Sequence, residues 1–169
     1  MQRQMNADEL DHFYRRVGAA IWHVQYLEDV LVSFLAMKIL SPKRSGGQAI
    51  SAADMDALLA QKRRLTLGPL IKECIGQNII APALEPRFET FKTDRHWLVH
   101  RSMAESGDDL FNGSKRDAVF SRIFSVQQEA TALKKLIGTA LEAWLGAQGV
   151  DVKQAGEQGQ AAYRKLTGQ

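Results

Sequence analysis

The residues best suited to chemistry lie in one short segment, from Arg95 to His100, whose sequence is RHWLVH. It holds two of the four histidines in the chain. A histidine titrates near neutral pH and can take a proton from a hydroxyl or return one. An arginine stabilises the negative charge that builds on phosphoryl oxygens during phosphoryl transfer. The pattern is therefore compatible with acid–base chemistry on a phosphate.

Helical spacing places Arg95 on an apolar face. At 100° per residue, Phe88, Phe91, Arg95, Leu98 and Ser102 share one side of a helix that begins near Pro86. A guanidinium in that position is costly unless its planar fork is hydrogen-bonded. We therefore expect a carboxylate to approach it from another helix.

The first helix carries a charge of opposite sign on its own apolar face. Glu28 falls between Val24 and Leu31 on a stripe of apolar residues. It either reaches water at the edge of that stripe or meets a cation inside the fold. We predict that Glu28 and Arg95 pair.

Three interpretations of the segment remain open. The first treats its polar residues as purely structural. In the second, His96 and His100 have the spacing of two zinc ligands on a helix, with a third ligand to come from His12, His23 or a carboxylate. The third interpretation is the acid–base chemistry described above. It requires Arg95 to approach His100, which lies about 140° away on a regular helix, so that the helix must be distorted or a ligand must bridge the two side chains.

Arg101 and Trp97 face away from the stripe and are expected to form a cation–π pair.

The remaining sequence predicts an all-α fold. Apolar periodicity and capping signals predict helices over residues 8–40, 51–62, 66–76, 86–103, and 123–145 or 125–145. Turn signals separate them at 41–47 and 106–114, and no pair of alternating segments indicates a sheet. We expect an antiparallel bundle of four to five helices over residues 1–149. Residues 150–169 are expected to form a weakly packed or mobile tail, with Tyr163 and Leu166 as its only large apolar side chains.

Composition limits the class of protein. A chain of 169 residues with a net charge of +3 suggests one mildly basic domain, which permits a polyanionic partner without requiring one. The single cysteine, Cys74, excludes a disulfide within the chain and fits a small core residue in a reducing cytoplasm. The N-terminal residues lack the apolar run of a signal peptide, and no apolar stretch is long enough to predict a membrane span.

The segment from Asp94 to Arg101, with sequence DRHWLVHR, resembles the signature of the HEPN superfamily (higher eukaryotes and prokaryotes nucleotide-binding). That signature is an arginine, a polar residue, a short spacer and a histidine, which correspond here to Arg95, His96 and His100. The long first helix with its acidic residue, the TLGPL helix start at Thr66 and the long closing helix are also similar, so that the resemblance covers residues 8–145.

The resemblance implies a helical bundle that often dimerises, with two copies of the motif in one cleft. Many members are metal-independent endoribonucleases of toxin–antitoxin, phage-defence or RNA-processing systems and need no cofactor. By that analogy His100 activates the ribose 2′-hydroxyl or protonates the leaving oxygen, Arg95 holds the scissile phosphate, and His96 orients the pair or touches the RNA. An antitoxin or another protein of the system is an expected partner.

The resemblance also implies residues that would contact RNA, and the sequence departs from one branch of the family at one position. Lys62, Arg63, Arg64 and Arg101 are candidate contacts to the RNA backbone, although each is more readily explained as a solvated cation. In the branch inactivated by nucleotide transfer, a tyrosine stands two residues after the histidine; here Ser102 occupies that position, so that form of regulation is not supported. Other members have lost catalysis, and a binding or interaction module of the same fold is therefore the alternative function.

Overall fold

The computed structural model describes residues 5–45, 51–154 and 157, and the side chains of these residues except 42–45. This part of the chain is helical and includes no β-strand, which confirms the predicted all-α class. The α-helices are α1 (Ala7–Ser45), α2 (Ala52–Lys62), α3 (Leu67–Gly76), α4 (Glu85–His96), α5 (Ser102–Ser106) and α6 (Gly113–Ala147). Short 3-10 turns at Pro82–Leu84 and Asp108–Phe111 join some of them.

Two reciprocal caps start the first two helices. The backbone N–H of Glu9 donates to the Asn6 side chain, and the N–H of Asn6 donates to the Glu9 carboxylate, each at 2.9 Å. Ser51 and Asp54 form the same arrangement at the start of α2, as the sequence predicted. Each such cap is worth about 1 kcal/mol because it satisfies N–H groups that have no partner within the helix.

Two predicted helix boundaries are wrong. Helix α1 continues to Ser45 rather than ending at residue 40. The predicted loop residues Gly46 and Gly47 lie outside the described residues. Helix α6 begins at Gly113, ten residues before the earlier predicted start, and the buried Val119 and Ile123 extend its apolar face. The sequence from Asn112 to Ser114 thus starts a helix rather than forming a longer loop.

The two longest helices are parallel. Phe13 contacts Phe120, His23 contacts Thr131, and Phe34 contacts Trp144, so that α1 and α6 advance together. Helix α4 is antiparallel to α6, since Arg87 binds Glu129 while the later Asp94 binds Arg122. The apolar periodicity and short connections predict a mostly antiparallel bundle, and the α1–α6 pair departs from that prediction because α2, α3 and α4 reverse the chain between them.

One apolar core joins these helices. Its largest fully buried side chains come from α1, α3, α4 and α6, and include Leu27, Leu31, Leu35, Leu70, Ile71, Phe88, Phe91, Ile123, Leu133 and Ile137. Phe88 and Phe91 therefore occupy the buried face of α4 that the sequence predicted, and this face positions Arg95. In the predicted tail, residues 152–154 are helical, while Tyr163 and Leu166 lie outside the described residues. None of the helices described here is both long and apolar enough to cross a lipid bilayer.

Candidate functional site at the α4–α5 junction

A π-helical turn lies at the centre of the motif. It spans Trp97–Arg101, between α4 and α5, and the backbone N–H of Ser102 donates to the carbonyl of Trp97, five residues earlier. The Ser102 hydroxyl also donates to the carbonyl of Leu98 at 2.9 Å. Such wide turns are uncommon within helices and are frequent at functional sites. This turn is the local distortion that an approach of Arg95 to His100 requires.

Arg95 is held by Glu28. Its Nε donates to Glu28 Oε1 at 3.2 Å, and about a quarter of each side chain is exposed, 26% for Arg95 and 25% for Glu28. The pairing predicted from the two misfit charges is confirmed. The contact fixes Arg95 from one side and leaves part of its guanidinium open to solvent.

The outer edge of the same guanidinium faces His100. Arg95 Nη1 lies 3.5 Å from His100 Nε2, a long hydrogen bond. A guanidinium has only donors, so that His100 Nε2 must be the unprotonated nitrogen for this bond to form. His100 is exposed. Its Nε2 has a single lone pair, so that it can accept a proton from a ligand only when the Arg95 guanidinium turns from it to another acceptor, such as a phosphate.

The second histidine extends the site. The ring centroids of His96 and His100 are 5.1 Å apart, with a tilt of 48° between the planes, and both residues are exposed. Val99 and Met103 flank them and are 40% and 77% exposed. The site is therefore an open surface of two imidazoles and one guanidinium beside apolar side chains, and not an enclosed cavity.

Trp97 lies differently from the prediction. Its side chain is buried, and the Arg122 guanidinium lies over its ring at 3.9 Å from the centroid. The predicted cation–π pair with Arg101 is wrong: Arg101 instead binds Glu105 at 2.7 Å on the exposed side of the helix. The N–H of Trp97 still donates to the carbonyl of Thr93, as in a regular α-helix, and the Trp97 side chain faces α6, where Arg122 is available.

Arg122 is a residue that sequence reasoning missed. It binds Asp94 at 3.4 Å and covers Trp97, so that it contacts the helix on both sides of Arg95. The predicted α6 began after Arg122, which left this residue in a loop without a defined face. The apolar periodicity of α6 extends back to Val119, and this extension is the sequence signal that places Arg122 on the helix.

The basic cluster predicted to contact RNA is mostly paired within the fold. Lys62 binds Glu73 at 2.6 Å, and Arg63 binds Asp29 at 2.9 Å. Arg64 is exposed. Because Asp29 adjoins Glu28, Arg63 lies at the same level of α1 as the Arg95 ion pair.

The zinc interpretation lacks a third ligand in the described part of the chain. No group of three His, Cys, Asp or Glu side chains there is arranged to hold a metal ion. Of the proposed third ligands, His23 contacts Thr131 at 3.0 Å and His12 stacks on Phe120. Both therefore lie at the α1–α6 contact.

Comparisons with protein-family models, curated proteins and solved structures each found no significant match to this chain.

Proposed function

We propose that this chain is a metal-independent endoribonuclease of the toxin–antitoxin, phage-defence or RNA-processing type. One observation carries the proposal: Glu28 holds Arg95 by Nε while Arg95 Nη1 faces the Nε2 of the exposed His100 across the π turn. A guanidinium and an imidazole at this spacing can contact one phosphodiester together. The similarity of the motif to HEPN ribonucleases supports the same assignment.

The chemistry follows from the two side chains. His100 Nε2 accepts the proton of a ribose 2′-hydroxyl, and the 2′-oxygen attacks the adjacent phosphorus. The bond from phosphorus to the 5′-oxygen breaks, and that oxygen takes a proton, so that the products are a 2′,3′-cyclic phosphate and a 5′-hydroxyl. Arg95 stabilises the charge on the non-bridging oxygens. His96 orients His100 or contacts the RNA, and DNA is not cut because it lacks the nucleophile.

The ion pair with Glu28 leaves part of the Arg95 guanidinium available to a ligand. Glu28 contacts Nε, and Nη2 makes no hydrogen bond to any residue that the structure describes. The outer edge of the fork, Nη1 and Nη2, is the edge that binds phosphate in a bidentate manner. Glu28 therefore acts as a positioning residue in this proposal.

A homodimer completes the site in this proposal. The exposed Val99 and Met103 lie beside His96 and His100, where a second copy would cover apolar surface and bring its own His100 nearby. One His100 would then serve as base and the other as acid. Arg64 and Arg101 are exposed and remain candidate contacts to the RNA backbone, whereas Lys62 and Arg63 would first have to leave their carboxylates.

The alternative is a non-catalytic binding or interaction module, acting as a partner or regulator in such a system. The Glu28–Arg95 ion pair favours it, because a structural salt bridge explains the arginine without a substrate. In this alternative the exposed histidines and apolar side chains form a contact surface for a cognate protein.

Substrate chemistry tests the proposal. We expect the chain to cut an oligoribonucleotide in excess EDTA, to leave 2′,3′-cyclic phosphate ends, and to spare a linkage whose 2′-hydroxyl is replaced by hydrogen. Cutting at the deoxy-substituted linkage contradicts the mechanism. Activity abolished by EDTA indicates a metal enzyme, and tight RNA or protein binding without cleavage supports the alternative.

A further inference from the structure

The parallel pair α1 and α6 has a second face, away from α4. On α6, Arg122 and Glu129 face α4, whereas Phe124 and Thr131 each lie two residues further along, about 200° around the helix. Phe124 and Thr131 contact α1 through Arg16 and His23. The α1–α6 seam, as we call this line of contacts, therefore lies on the opposite side of α6 from the Arg95–His100 site.

Cations and rings alternate along the α1–α6 seam. The Arg16 guanidinium lies 5.6 Å from the ring centroid of Phe124, and Lys134 Nζ lies 5.5 Å from that of Tyr26. Further along, Lys38 Nζ lies 5.5 Å from the ring of Trp144. Arg16 and Lys38 are 22 positions apart in the numbering, so that the row of cations extends over about 33 Å of helix.

Over the middle of the seam, carboxylates are directed away from this row, whereas Asp8 and Asp117 lie in a groove with Arg16 at one end, and Glu142 is close in sequence to Trp144 at the other. Between Arg16 and Lys38, the only acidic residues of α1 are Glu28 and Asp29, which bind Arg95 and Arg63. Between residues 120 and 138 of α6 the only one is Glu129, which binds Arg87. The three seam cations lie about 15 to 18 Å apart along α1. They form a spaced row of positive charge, which we call the strip, although the net charge of the chain is only +3.

Exposed aromatic rings border the strip. Trp22, Tyr26 and Phe124 are 60%, 51% and 45% exposed, and the rings of Trp22 and Tyr26 are 5.7 Å apart. Trp22 and Tyr26 together form an exposed aromatic pair, and contiguous apolar surface of this kind can serve as a binding surface. Rings beside a line of cations offer stacking surfaces for bases next to contacts for phosphates.

A groove of about 660 Å³ marks one end of the strip. Phe120 and Phe124 form aromatic walls, with Arg16 beside them, and Asp8 and Asp117 contribute carboxylates to the lining. Carboxylates repel phosphate but accept hydrogen bonds from the amino groups of bases. Arg116 also lines the groove. The rings and carboxylates of the groove are suited to hold a base at one end of a bound strand, with Arg16 and Arg116 beside it.

We propose that the α1–α6 seam binds single-stranded nucleic acid, as a second site separate from the Arg95–His100 surface. Duplexes do not fit this pattern, because their bases are not free to stack on protein rings. An anionic membrane does not fit it either, because a membrane-binding helix needs a broad apolar face, whereas here the rings are interrupted by cations, Thr131 and His23. The inference does not depend on cleavage, since the seam binds the strand whether or not the other face cuts it.

Binding of a fluorescent oligouridylate to the His100→Ala variant in EDTA tests the proposal, because that substitution removes the proposed cleavage from the measurement. We compare Arg16→Gln/Lys134→Gln with Lys72→Gln/Lys153→Gln, a control that removes two exposed cations outside the seam. Removing one phosphate contact lowers the slope of log K against log salt by about 0.7, so that the slope should fall by about 1.4 in the seam variant and stay unchanged in the control. Trp22→Ala should weaken binding at least about fivefold because it removes one stacking surface.

Circular dichroism and thermal melting establish that each variant is folded. Equal salt slopes and affinities for the seam and control variants overturn the proposal, as does binding to phosphatidylserine vesicles without binding to the oligonucleotide. If the wild-type chain binds the strand through the seam but cuts no RNA, the proposed function fails while this inference stands. If the wild-type chain cuts RNA and the seam variant binds and cuts RNA normally, this inference fails while the proposed function stands.

Discussion

Arg95 Nη1 lies 3.5 Å from His100 Nε2, although five residues separate them in one continuous helical stretch. On a regular α-helix the two side chains point about 140° apart. The π turn at Trp97–Arg101 widens the helix between them, and the ion pair with Glu28 fixes the guanidinium. The arginine and the histidine of the motif therefore come together because the helix departs locally from α-helical geometry.

Replacement of Glu28 by glutamine tests the positioning of Arg95. The variant keeps the shape but loses the charge that holds Nε, and leaves a partly buried guanidinium without its counter-ion. We expect the free energy of unfolding, measured by urea denaturation, to fall by about 1 kcal/mol. RNA cleavage should fall by about tenfold to a hundredfold, because the fork is no longer aligned with His100.

Asp29→Asn is the matched control for this variant. It breaks the neighbouring Arg63–Asp29 pair, whose side chains are 56% and 54% exposed. Solvent weakens such a pair, so that the change in stability should stay within about 0.5 kcal/mol and cleavage should be unchanged. Similar losses in both variants would show that Glu28 has no special relation to Arg95.

Replacement of Arg122 by alanine tests the support of the π turn from α6. The variant loses the cation over the buried Trp97 ring and the contact with Asp94. We expect a stability loss of about 1 kcal/mol, with a changed near-ultraviolet signal from Trp97. Arg101→Ala, which breaks only the exposed pair with Glu105, should cost about 0.3 to 0.5 kcal/mol and leave that signal intact. An unaltered Trp97 signal in Arg122→Ala would contradict this account of the turn.

The sequence was sufficient to predict the pairing of Arg95 with Glu28. Each is a charge on an apolar helical face, and burial of an unpaired charge is costly, which favours the pairing of two opposite misfits; exposure of Glu28 at the edge of its stripe was the open alternative. The all-α class and most helix positions follow from apolar periodicity and caps, as at Ser51 and Asp54. These features depend on the spacing of neighbouring residues along the chain, which can be obtained from a single sequence.

The π turn could not be predicted in the same way. Periodicity assumes a constant 100° per residue, and a wide turn shifts every later side chain. The start of α6 was missed because the Asn112–Ser114 stretch is typical both of a loop and of a helix start. With Arg122 left out of the helix, Trp97 was paired with Arg101, four residues away on the same helix face, and that pairing is wrong.

Met103 tests the proposed dimer. It is 77% exposed beside the histidines, and a glutamate there would place a charge inside a covered apolar contact. We expect Met103→Glu to shift the sedimentation coefficient from that of a dimer to that of a monomer and to lower cleavage. Leu136→Glu, at a 41% exposed position on α6, is the control and should keep both properties. A wild-type chain that sediments as a monomer at all concentrations would refute a composite site.

Cys74 gives stability a pH dependence at high pH. Its side chain is fully buried, and burial, together with the nearby Glu73, raises the pKa of the thiol from its usual 9.0 to about 12. Above pH 9 the unfolded chain loses this proton while the folded chain keeps it. Stability is therefore retained below pH 9 and lost as pH rises toward 12, at about 1.4 kcal/mol per pH unit from this group alone.

Comparison with Cys74→Ala isolates that contribution from the titration of lysines. The difference in unfolding free energy between wild type and variant should shrink between about pH 8 and about pH 10.5, since the variant has no thiol to ionise. A difference that stays constant over this range would show that the folded-state thiol ionises as readily as the unfolded one. The thiol should also resist alkylation at neutral pH until the chain is unfolded.

Cleavage rates of an oligoribonucleotide in excess EDTA, for wild type, Arg95→Ala and His100→Ala, test the central claim most directly. Lys72→Gln serves as a folded control outside the site. We predict a loss of about 10²–10⁴-fold for His100→Ala and about 10²–10³-fold for Arg95→Ala, with the control unchanged. Equal cleavage by all four proteins would contradict the assignment of catalysis to Arg95 and His100.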